Sequence, residues 1–137
     1  MGGERVFFVG TCNRLDAVPA ELRRRFRYGT WMFDLPSAEE RESIWSIHRH
    51  RYKVESDPPP DEGLTGADIR NCCDLAASLR IDLEQASDYI VPTSRYAAEA
   101  IEASRSMADG RFLSASYPGP YRKQAGDGRP ARRVKVH

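Results

Sequence analysis

The sequence lacks long apolar runs and has few of the residues that build disulfide or metal frameworks. No apolar stretch approaches the roughly 20 residues needed to cross a bilayer, and no signal peptide opens the chain. There are three cysteines, an odd number, and Cys72 and Cys73 are adjacent. This spacing gives neither a disulfide framework nor a CxxC metal pair. We therefore predict no membrane contact, no metal site, a reducing cytoplasmic location, and cysteines buried as small apolar residues.

The sequence also lacks a strong excess of charge of either sign. Its net charge is +1, and its 40% apolar and 30% charged residues are typical of a folded protein. The C-terminal stretch is basic and is opposed only by Asp127. Its basic residues are Arg122, Lys123, Arg129, Arg132, Arg133 and Lys135. A nucleic-acid contact is one interpretation, but a stretch with glycine and proline and little aromatic interleaving favours a solvated tail.

Two segments near the start are predicted strands of a parallel sheet. Residues 6–10 form a continuous apolar run rich in β-branched and aromatic side chains, which is typical of a strand buried on both faces. Residues 30–35 form a second candidate that ends at Pro36. Between them, residues 19–25 are predicted to form a short helix with a proline in its first turn. Two strands do not make a stable sheet, so we expect this part to be the far edge of a larger α/β domain.

The chain is predicted to become helical after the second strand. Ser37 and Glu40 form an S-x-x-E capping box at the start of the first helix, and the proline-rich residues 57–63 end it. A second helix begins at Thr65, with Asp68 three residues further on. The apolar stripe of this second helix consists of Ile69, Cys72, Cys73, Ala76 and Leu79.

Two further helices are predicted before the chain loses regular structure. Asp82 can cap a third, short helix that ends at Pro92. A fourth covers residues 94–108, and Gly110 lies just past its end. We predict no regular structure beyond residues 117–120. The predicted fold is therefore an α/β fragment with two parallel strands followed by a small helical bundle, mostly α overall.

Polar residues follow the first predicted strand and precede the second. Ligands bind beyond the carboxyl ends of parallel strands, so Asn13 is placed to touch a substrate; the alternative is that Asn13 and Asp16 build a turn. Residues 23–27 contain four arginines, which cannot all lie on one apolar face. The guanidinium fork matches phosphate oxygens, whereas the alternative interpretation is a solvated basic patch.

The order of these segments resembles the AAA+ ATPase family. In that family a buried strand ends in T-x-N, N-R-x-D follows, a helix ends in arginines and phenylalanine, and the next strand closes on L-P. Residues 6–36 show this order, from Thr11-Cys12-Asn13 to Asp34-Leu35-Pro36. Residues 64–69, Leu-Thr-Gly-Ala-Asp-Ile, are similar to the G-A-D/E-I turn that opens a lid helix. The resemblance extends from residue 5 to about residue 121.

The resemblance implies catalytic roles for four residues. Asn13 is the expected sensor, which orients the attacking water or contacts the γ-phosphate. One or more of Arg23, Arg24 and Arg25 are expected to be arginine fingers that reach the ATP site of a neighbouring subunit. The family has four residues between the leucine and phenylalanine of this region and this chain has three, so the spacing does not single out one of the three arginines; Arg25 is the first choice.

The resemblance also implies a nucleotide-binding turn. Gly66 and Ala67 are expected to line the adenine and ribose side at a helix N-terminus, with Asp68 capping that helix. Position 67 carries no sensor-2 arginine, and Arg70, one turn on, is its substitute in this interpretation.

A phosphate-binding loop is the most consequential absence. It needs G-x-x-x-x-G-K-[ST], yet none of Lys53, Lys123 and Lys135 follows a glycine. The Asp-Glu pair that holds magnesium is also missing, since Leu35 follows Asp34. We expect ATP and Mg²⁺ to be bound mainly by a missing N-terminal half, and the chain alone to be inactive.

The sequence therefore predicts the C-terminal part of an AAA+ ATPase. Residues 1–36 are the expected end of the α/β core, residues 37–110 a helical lid, and residues 111–137 an extended basic tail. Its expected partners are the missing half or neighbouring subunits in a ring, and an unknown protein substrate. The alternative is a non-catalytic helical module that binds a partner ATPase or, with less support, nucleic acid.

Overall fold

A computed structural model describes residues 3–123 as short helices around one pair of strands. After a 3-10 turn at Leu15–Ala17, the elements in chain order are α1 (Ala20–Arg24), β1 (Trp31–Met32), α2 (Ala38–Tyr52), α3 (Gly66–Leu79), α4 (Leu83–Ser87), α5 (Thr93–Tyr96), α6 (Ala98–Ala108) and β2 (Leu113–Ser114). β1 and β2 are parallel, with Trp31 opposite Leu113. The predicted fold class is confirmed: the chain is mostly helical, with two parallel strands and a small bundle.

The first predicted strand does not form. Residues 6–10 have no regular secondary structure, and the side chains of residues 6–9 are 67–91% exposed. Within residues 3–123, none of their backbone groups makes a backbone hydrogen bond. The prediction was wrong because a strand needs a neighbour, and β1 pairs instead with β2 from the other end of the sequence. The second predicted strand shortens to Trp31–Met32.

Helices α2, α3 and α4 begin at capping boxes, which satisfy N–H groups that have no partner inside a helix. The boxes pair Ser37 with Glu40, Thr65 with Asp68, and Asp82 with Gln85. The helix starts predicted from these residues are therefore confirmed.

The core lies between α2, α3 and α4. Of the predicted stripe on α3, all but Leu79 are buried; Leu79 is 55% exposed at the last turn, so its inclusion was wrong. Trp45 of α2 is buried, and its indole Nε1 donates to Asp61 Oδ2 at 2.9 Å. Asp61 Oδ1 lies 3.0 Å from Arg41 Nε. These two contacts fasten the proline-rich turn to α2. The buried core consists of Trp45, Leu64, Ile69, Cys72, Cys73, Ala76, Leu83 and Ala86.

The predicted fourth helix is broken into two. Ala97 has φ −108° and ψ 16°, outside the α-helical range, so α5 ends there and α6 begins at the next residue. None of the helices in the part of the chain that the structure describes is long and apolar enough to span a bilayer.

The segment after α6 returns to β1. The N–H groups of Leu113 and Ala115 donate to the carbonyls of Thr30 and Met32, with N···O distances of 2.9 and 3.0 Å. Residues 111–123 therefore pack onto the fold, and residues 124–137 of the predicted basic tail lie outside the described residues. The division into three domains stays a prediction.

A carboxylate holds this returning segment in place. Asp34 Oδ1 accepts from Arg105 Nε of α6 at 2.8 Å, and Asp34 Oδ2 accepts from the hydroxyl of Tyr121 at 2.6 Å. The backbone N–H of Leu35 also donates to Oδ1, at 2.7 Å. Asp34, Arg105 and Tyr121, which we call the carboxylate clasp, thus join β1, α6 and the C-terminal segment. Burial, and then the hydrogen bond to Asp34, raise the pKa of Tyr121, which keeps its hydroxyl protonated as the donor.

We expect the substitution Tyr121→Phe to lower the free energy of unfolding by about 1 kcal/mol. A hydrogen bond to a charged group contributes roughly 1.5–3 kcal/mol, and the Asp34 side chain is 25% exposed, so water replaces part of that contact. Urea unfolding measures the difference. Tyr89→Phe is the matched control, since Tyr89 is exposed. Equal losses in both variants would contradict a role for the clasp.

The three thiols are predicted to differ in reactivity. Cys72 and Cys73 are fully buried, and burial raises the pKa of each to about 11, whereas Cys12 is exposed, contrary to the expectation that all three are buried. The thiolate is the reactive form, and almost none exists at pH 8 when the pKa is near 11. Ellman's reagent should therefore label one thiol quickly at pH 8 and the other two only after unfolding. Cys12→Ser should remove the fast phase, and fast labelling that survives this change would show the helical core to be open.

Candidate functional site

The first turn of α3 presents two of the predicted nucleotide-binding residues. Thr65 is the N-cap, and its Oγ1 accepts from the Asp68 N–H at 3.2 Å. The N–H groups of Gly66 and Ala67 follow the cap and have no backbone partner within residues 3–123. Ala67 is exposed and Gly66 is half-buried. A helix N-terminus with free N–H groups favours an anionic or strongly polar ligand.

The third predicted nucleotide-binding residue lies on the same helical face. Arg70 is three residues after Ala67 and four after Gly66, a spacing that places the side chains side by side on a helix. Arg70 is exposed and forms no ion pair within the described residues. The structure therefore groups Gly66, Ala67 and Arg70 on one surface, which we call the α3 entry face.

A histidine of α2 borders the α3 entry face. Gly66 lies against Ile44, since a Cβ built on Gly66 would be 3.8 Å from Ile44 Cδ1, and His48 is one helical turn further along α2. Burial lowers the pKa of His48, and the nearby positive charges of Arg51 and Arg70 lower it further. His48 Nδ1 is buried and has no hydrogen-bond partner in the described part of the chain. Sequence reasoning missed His48 as a site residue, because no sequence motif distinguishes a packed histidine from one with an unused nitrogen.

Asp68 lies buried in the first turn of α3 and accepts hydrogen bonds from Thr65 and Thr93. Its side chain is 5% exposed, and Oδ2 accepts from the N–H of Thr65 at 2.8 Å and from that of Thr93 at 3.1 Å. Oδ1 accepts from the Thr93 hydroxyl at 2.8 Å. Burial raises the pKa of Asp68, but the hydrogen bonds from Thr65 and Thr93 outweigh burial and bring the pKa below its usual value. Asp68 is therefore a charged acceptor at neutral pH.

Asn13, the predicted sensor, lies in a stretch without regular structure. It is exposed, and its side chain has no hydrogen-bond partner among residues 3–123. The turn that follows is built by Arg14 and Asp16, which form an exposed ion pair at 2.9 Å. A 3.2 Å hydrogen bond from the Ala17 N–H to the Arg14 carbonyl closes the turn. Asn13 therefore takes no part in this turn, whereas the alternative interpretation has Asn13 and Asp16 build it together.

The predicted arginine fingers lie at the end of α1. Arg23 and Arg24 occupy its last turn and Arg25 is its C-cap. Arg24 and Arg25 are exposed, while Arg23 is half-buried and its Nε has no hydrogen-bond partner in the described residues. None of the three forms an ion pair within residues 3–123. All three positive charges are therefore available to an anion from outside this part of the chain.

The structure does not bring the two groups of predicted residues together. Within the described residues, no hydrogen bond or ion pair connects Asn13 or the α1 arginines to the α3 entry face. Two open depressions, of about 340 and 500 Å³, lie at the C-terminal ends of α2 and α3 and beside α6. Neither is lined by Gly66, Ala67 or Arg70. The geometry therefore provides separate parts of a site.

The hydrogen-bond donors of the α3 entry face determine which part of a magnesium nucleotide this face suits. Free N–H groups and the guanidinium of Arg70 suit the sugar and phosphate oxygens of ATP. Magnesium in nucleotide sites is held by one or two carboxylates together with waters and phosphate oxygens. Both carboxylate oxygens of Asp68, in the first turn of α3, already accept hydrogen bonds from Thr65 and Thr93. The described donors therefore have the chemistry for nucleotide oxygens, and Asp68 is not placed to hold a metal ion.

Comparison with known proteins gives modest but consistent similarities. No protein-family model and no solved structure matches the chain. An ATPase family AAA domain-containing protein of Arabidopsis thaliana is 29% identical over 141 residues, which cover 92% of this chain and 11% of that protein. The AAA domain-containing protein ycf46 of Pyropia yezoensis is 40% identical over 52 residues, covering 37% of this chain and 11% of that protein.

A third relative has a more specific name. The ATP-dependent zinc metalloprotease FtsH of Karelsulcia muelleri is 35% identical over 81 residues, which cover 54% of this chain and 13% of that protein. The chain thus spans only about a tenth of the length of these relatives. The similarity to AAA domain-containing proteins and to FtsH supports the AAA+ ATPase family for this chain, as its motifs indicate.

Proposed function

We propose that the chain supplies the sensor, the arginine fingers and the nucleotide lid of an AAA+ ATPase module whose phosphate-binding loop lies in a different segment. The observation that carries this proposal is a concentration of exposed large apolar side chains in residues 6–33, on both sides of the predicted sensor and fingers; we call them the apolar surface. Its residues are Val6, Phe7, Phe8, Val9, Leu22, Phe26, Tyr28, Trp31 and Phe33, each between 39% and 91% exposed. An apolar surface of this extent is typical of an interface.

The free edge of β1 indicates what covers that surface. The carbonyls of Thr30 and Met32 accept hydrogen bonds from β2, so the backbone groups of Trp31 point to the opposite edge. Phe7 lies 5.8 Å from the ring of Tyr28, which places residues 6–9 near the turn that precedes β1. A strand from an α/β partner can therefore pair with β1 and cover residues 6–9 at the same time. The phosphate-loop half of the same ATPase module is such a partner.

The proposed roles follow from which side chains are free. The unpaired arginines at residues 23–25 reach the phosphates of a neighbouring subunit's ATP, with Arg25 the first choice, and Asn13 orients the attacking water. The α3 entry face binds the adenine and ribose side, and helices α2–α4 act as the lid. Bound ATP supplies the phosphoryl group, and its hydrolysis in a ring oligomer drives remodelling of a protein substrate. Magnesium is held by the phosphate-loop half.

The alternative function is a non-catalytic module that uses the same apolar surface to dock on another protein. It explains the exposed residues 6–9 but gives no role to three unpaired arginines. The first experiment separates the two proposals: the encoding DNA is read on both sides of this coding region for G-x-x-x-x-G-K-[ST] and a strand ending in Asp-Glu. Finding both supports the ATPase module, and finding neither there favours the docking module.

In the ATPase assembled with its phosphate-loop half, we expect Arg25→Ala to lower kcat by about 1,000-fold, because an arginine finger contributes roughly 10³–10⁵ to the rate. KM for ATP should change little, since the finger acts on the transition state. Phosphate release measures both values. Arg23→Ala and Arg24→Ala identify the finger if Arg25 is not it.

Arg27→Ala is the matched control, because Arg27 is exposed in the same basic run but is not one of the three predicted arginine fingers. The chain by itself should release phosphate from MgATP no faster than buffer does. Ordinary turnover by the chain alone, or full activity in all three single variants, would rule out the proposed division of roles.

A further inference from the structure

Asp68 makes more contacts than its capping role requires. In a capping box the third residue accepts only from the N-cap N–H, as Asp68 does from Thr65. Asp68 accepts two further hydrogen bonds, from the N–H and the hydroxyl of Thr93, 25 residues further along the chain. Glu40, the carboxylate at the same position of the α2 box, accepts only from the N–H of its own N-cap, Ser37.

The two extra bonds substitute for a cap that α5 lacks. The N-cap of α5 is Pro92, which provides no side-chain hydrogen bond. The first N–H of α5 is that of Thr93, and Asp68 Oδ2 accepts it at 3.1 Å. The Thr93 hydroxyl, which also lies 3.0 Å from the Tyr96 hydroxyl, donates to Oδ1. One buried carboxylate therefore caps the starts of both α3 and α5.

Thr93 lies where the helical core meets the rest of the fold. The core cluster is formed by residues of α2, α3 and α4 together with Leu64, and no residue of α5 or α6 belongs to it. α6 is instead tied to β1 by the carboxylate clasp, through Arg105 and Asp34. Asp68 is thus a direct link from the α3 entry face to α5, which packs against α6.

We propose that Asp68 is a positioning residue, which ties the first turn of α3 to the start of α5 so that a ligand on the α3 entry face restrains α5 and α6. The nucleotide identity of that ligand rests on the proposed function, but the tie itself does not. Through Arg105, restraint of α6 extends to Asp34 at the end of β1. Asp68 touches no substrate in this scheme and acts through Thr93.

The test is hydrogen–deuterium exchange on the full chain without nucleotide. Thr93→Val removes the hydroxyl donor and keeps the backbone N–H, so we expect amides of α5 and α6 to exchange about tenfold faster, as the loss of one bond to a charged acceptor predicts. Exchange in α2–α4 should stay unchanged. Thr93→Ser keeps the hydroxyl and should restore the original rates.

Asp82→Ala is the control, because it removes the N-cap acceptor of a capping box that serves α4 alone. It should leave α5 and α6 unaffected. Unchanged exchange in α5 and α6 of Thr93→Val, or equal acceleration of α5 and α6 in Asp82→Ala, would overturn the proposed tie.

Exchange in millimolar ADP, with the chain assembled with its phosphate-loop half, then tests the restraint. In the unmodified chain we expect protection of the first turn of α3 and of α5–α6, and in Thr93→Val protection of α3 only. Equal protection of α5–α6 in both would overturn the restraint by ligand. An unprotected α3 in the unmodified chain would count against the proposed nucleotide lid, while the nucleotide-free exchange would still decide whether Asp68 ties α3 to α5.

Discussion

The fold depends on how a two-residue strand finds a partner. Within residues 3–123, β1 pairs on one edge only, with a strand that returns from the C-terminal side. Such a short ladder provides few hydrogen bonds, so the carboxylate of Asp34 adds the contacts to Arg105 and Tyr121 that keep the returning segment in register. The other edge of β1 stays open, and the apolar residues 6–9 remain exposed beside it. The need of β1 for a neighbouring strand thus accounts for the packing of the C-terminal segment on one edge. The free second edge accounts for the exposure of the N-terminal segment.

Buried and half-buried carboxylates organise the helical part in the same way. Asp61 receives the Trp45 indole N–H and lies against Arg41, which holds the proline-rich turn on α2. Asp68 serves two helix starts at once. A buried carboxylate without donors would be costly, so each of these side chains restrains every segment that supplies a donor to it. The helices here are short. Carboxylates that accept from two segments fix the orientation of these helices relative to their neighbours, which hydrogen bonds within each helix cannot do.

What the sequence could predict follows from the range of the interactions. Capping boxes act over three residues and helical stripes over about four, so the starts of α2, α3 and α4 and the buried face of Ile69 and Cys72 were predictable. The absence of a strand at residues 6–10 was not predictable, because strand formation depends on a neighbouring strand rather than on composition. The return of residues 113–121 to β1 and the contact of Asp68 with Thr93 join residues at least 25 positions apart, and no local pattern encodes them. The sequence predicted the residues of the candidate site from the order of the motifs, but not their positions in space. The unused nitrogen of His48 could be found only in the structure.

The distribution of unpaired charge gives the functional interpretation its physical basis. The half-buried and buried carboxylates of Asp34, Asp61 and Asp68 each have at least two donors or cations inside the described chain. The arginines of residues 23–25 and Arg70 have no carboxylate partner there. An exposed arginine does not require a partner, but three unpaired arginines in succession near exposed apolar side chains have the composition typical of the rim of an interface. An α/β partner that brings bound phosphates to that rim would satisfy the apolar surface and the positive charge together, whereas a purely apolar docking partner would leave the arginines at its edge without a counterion.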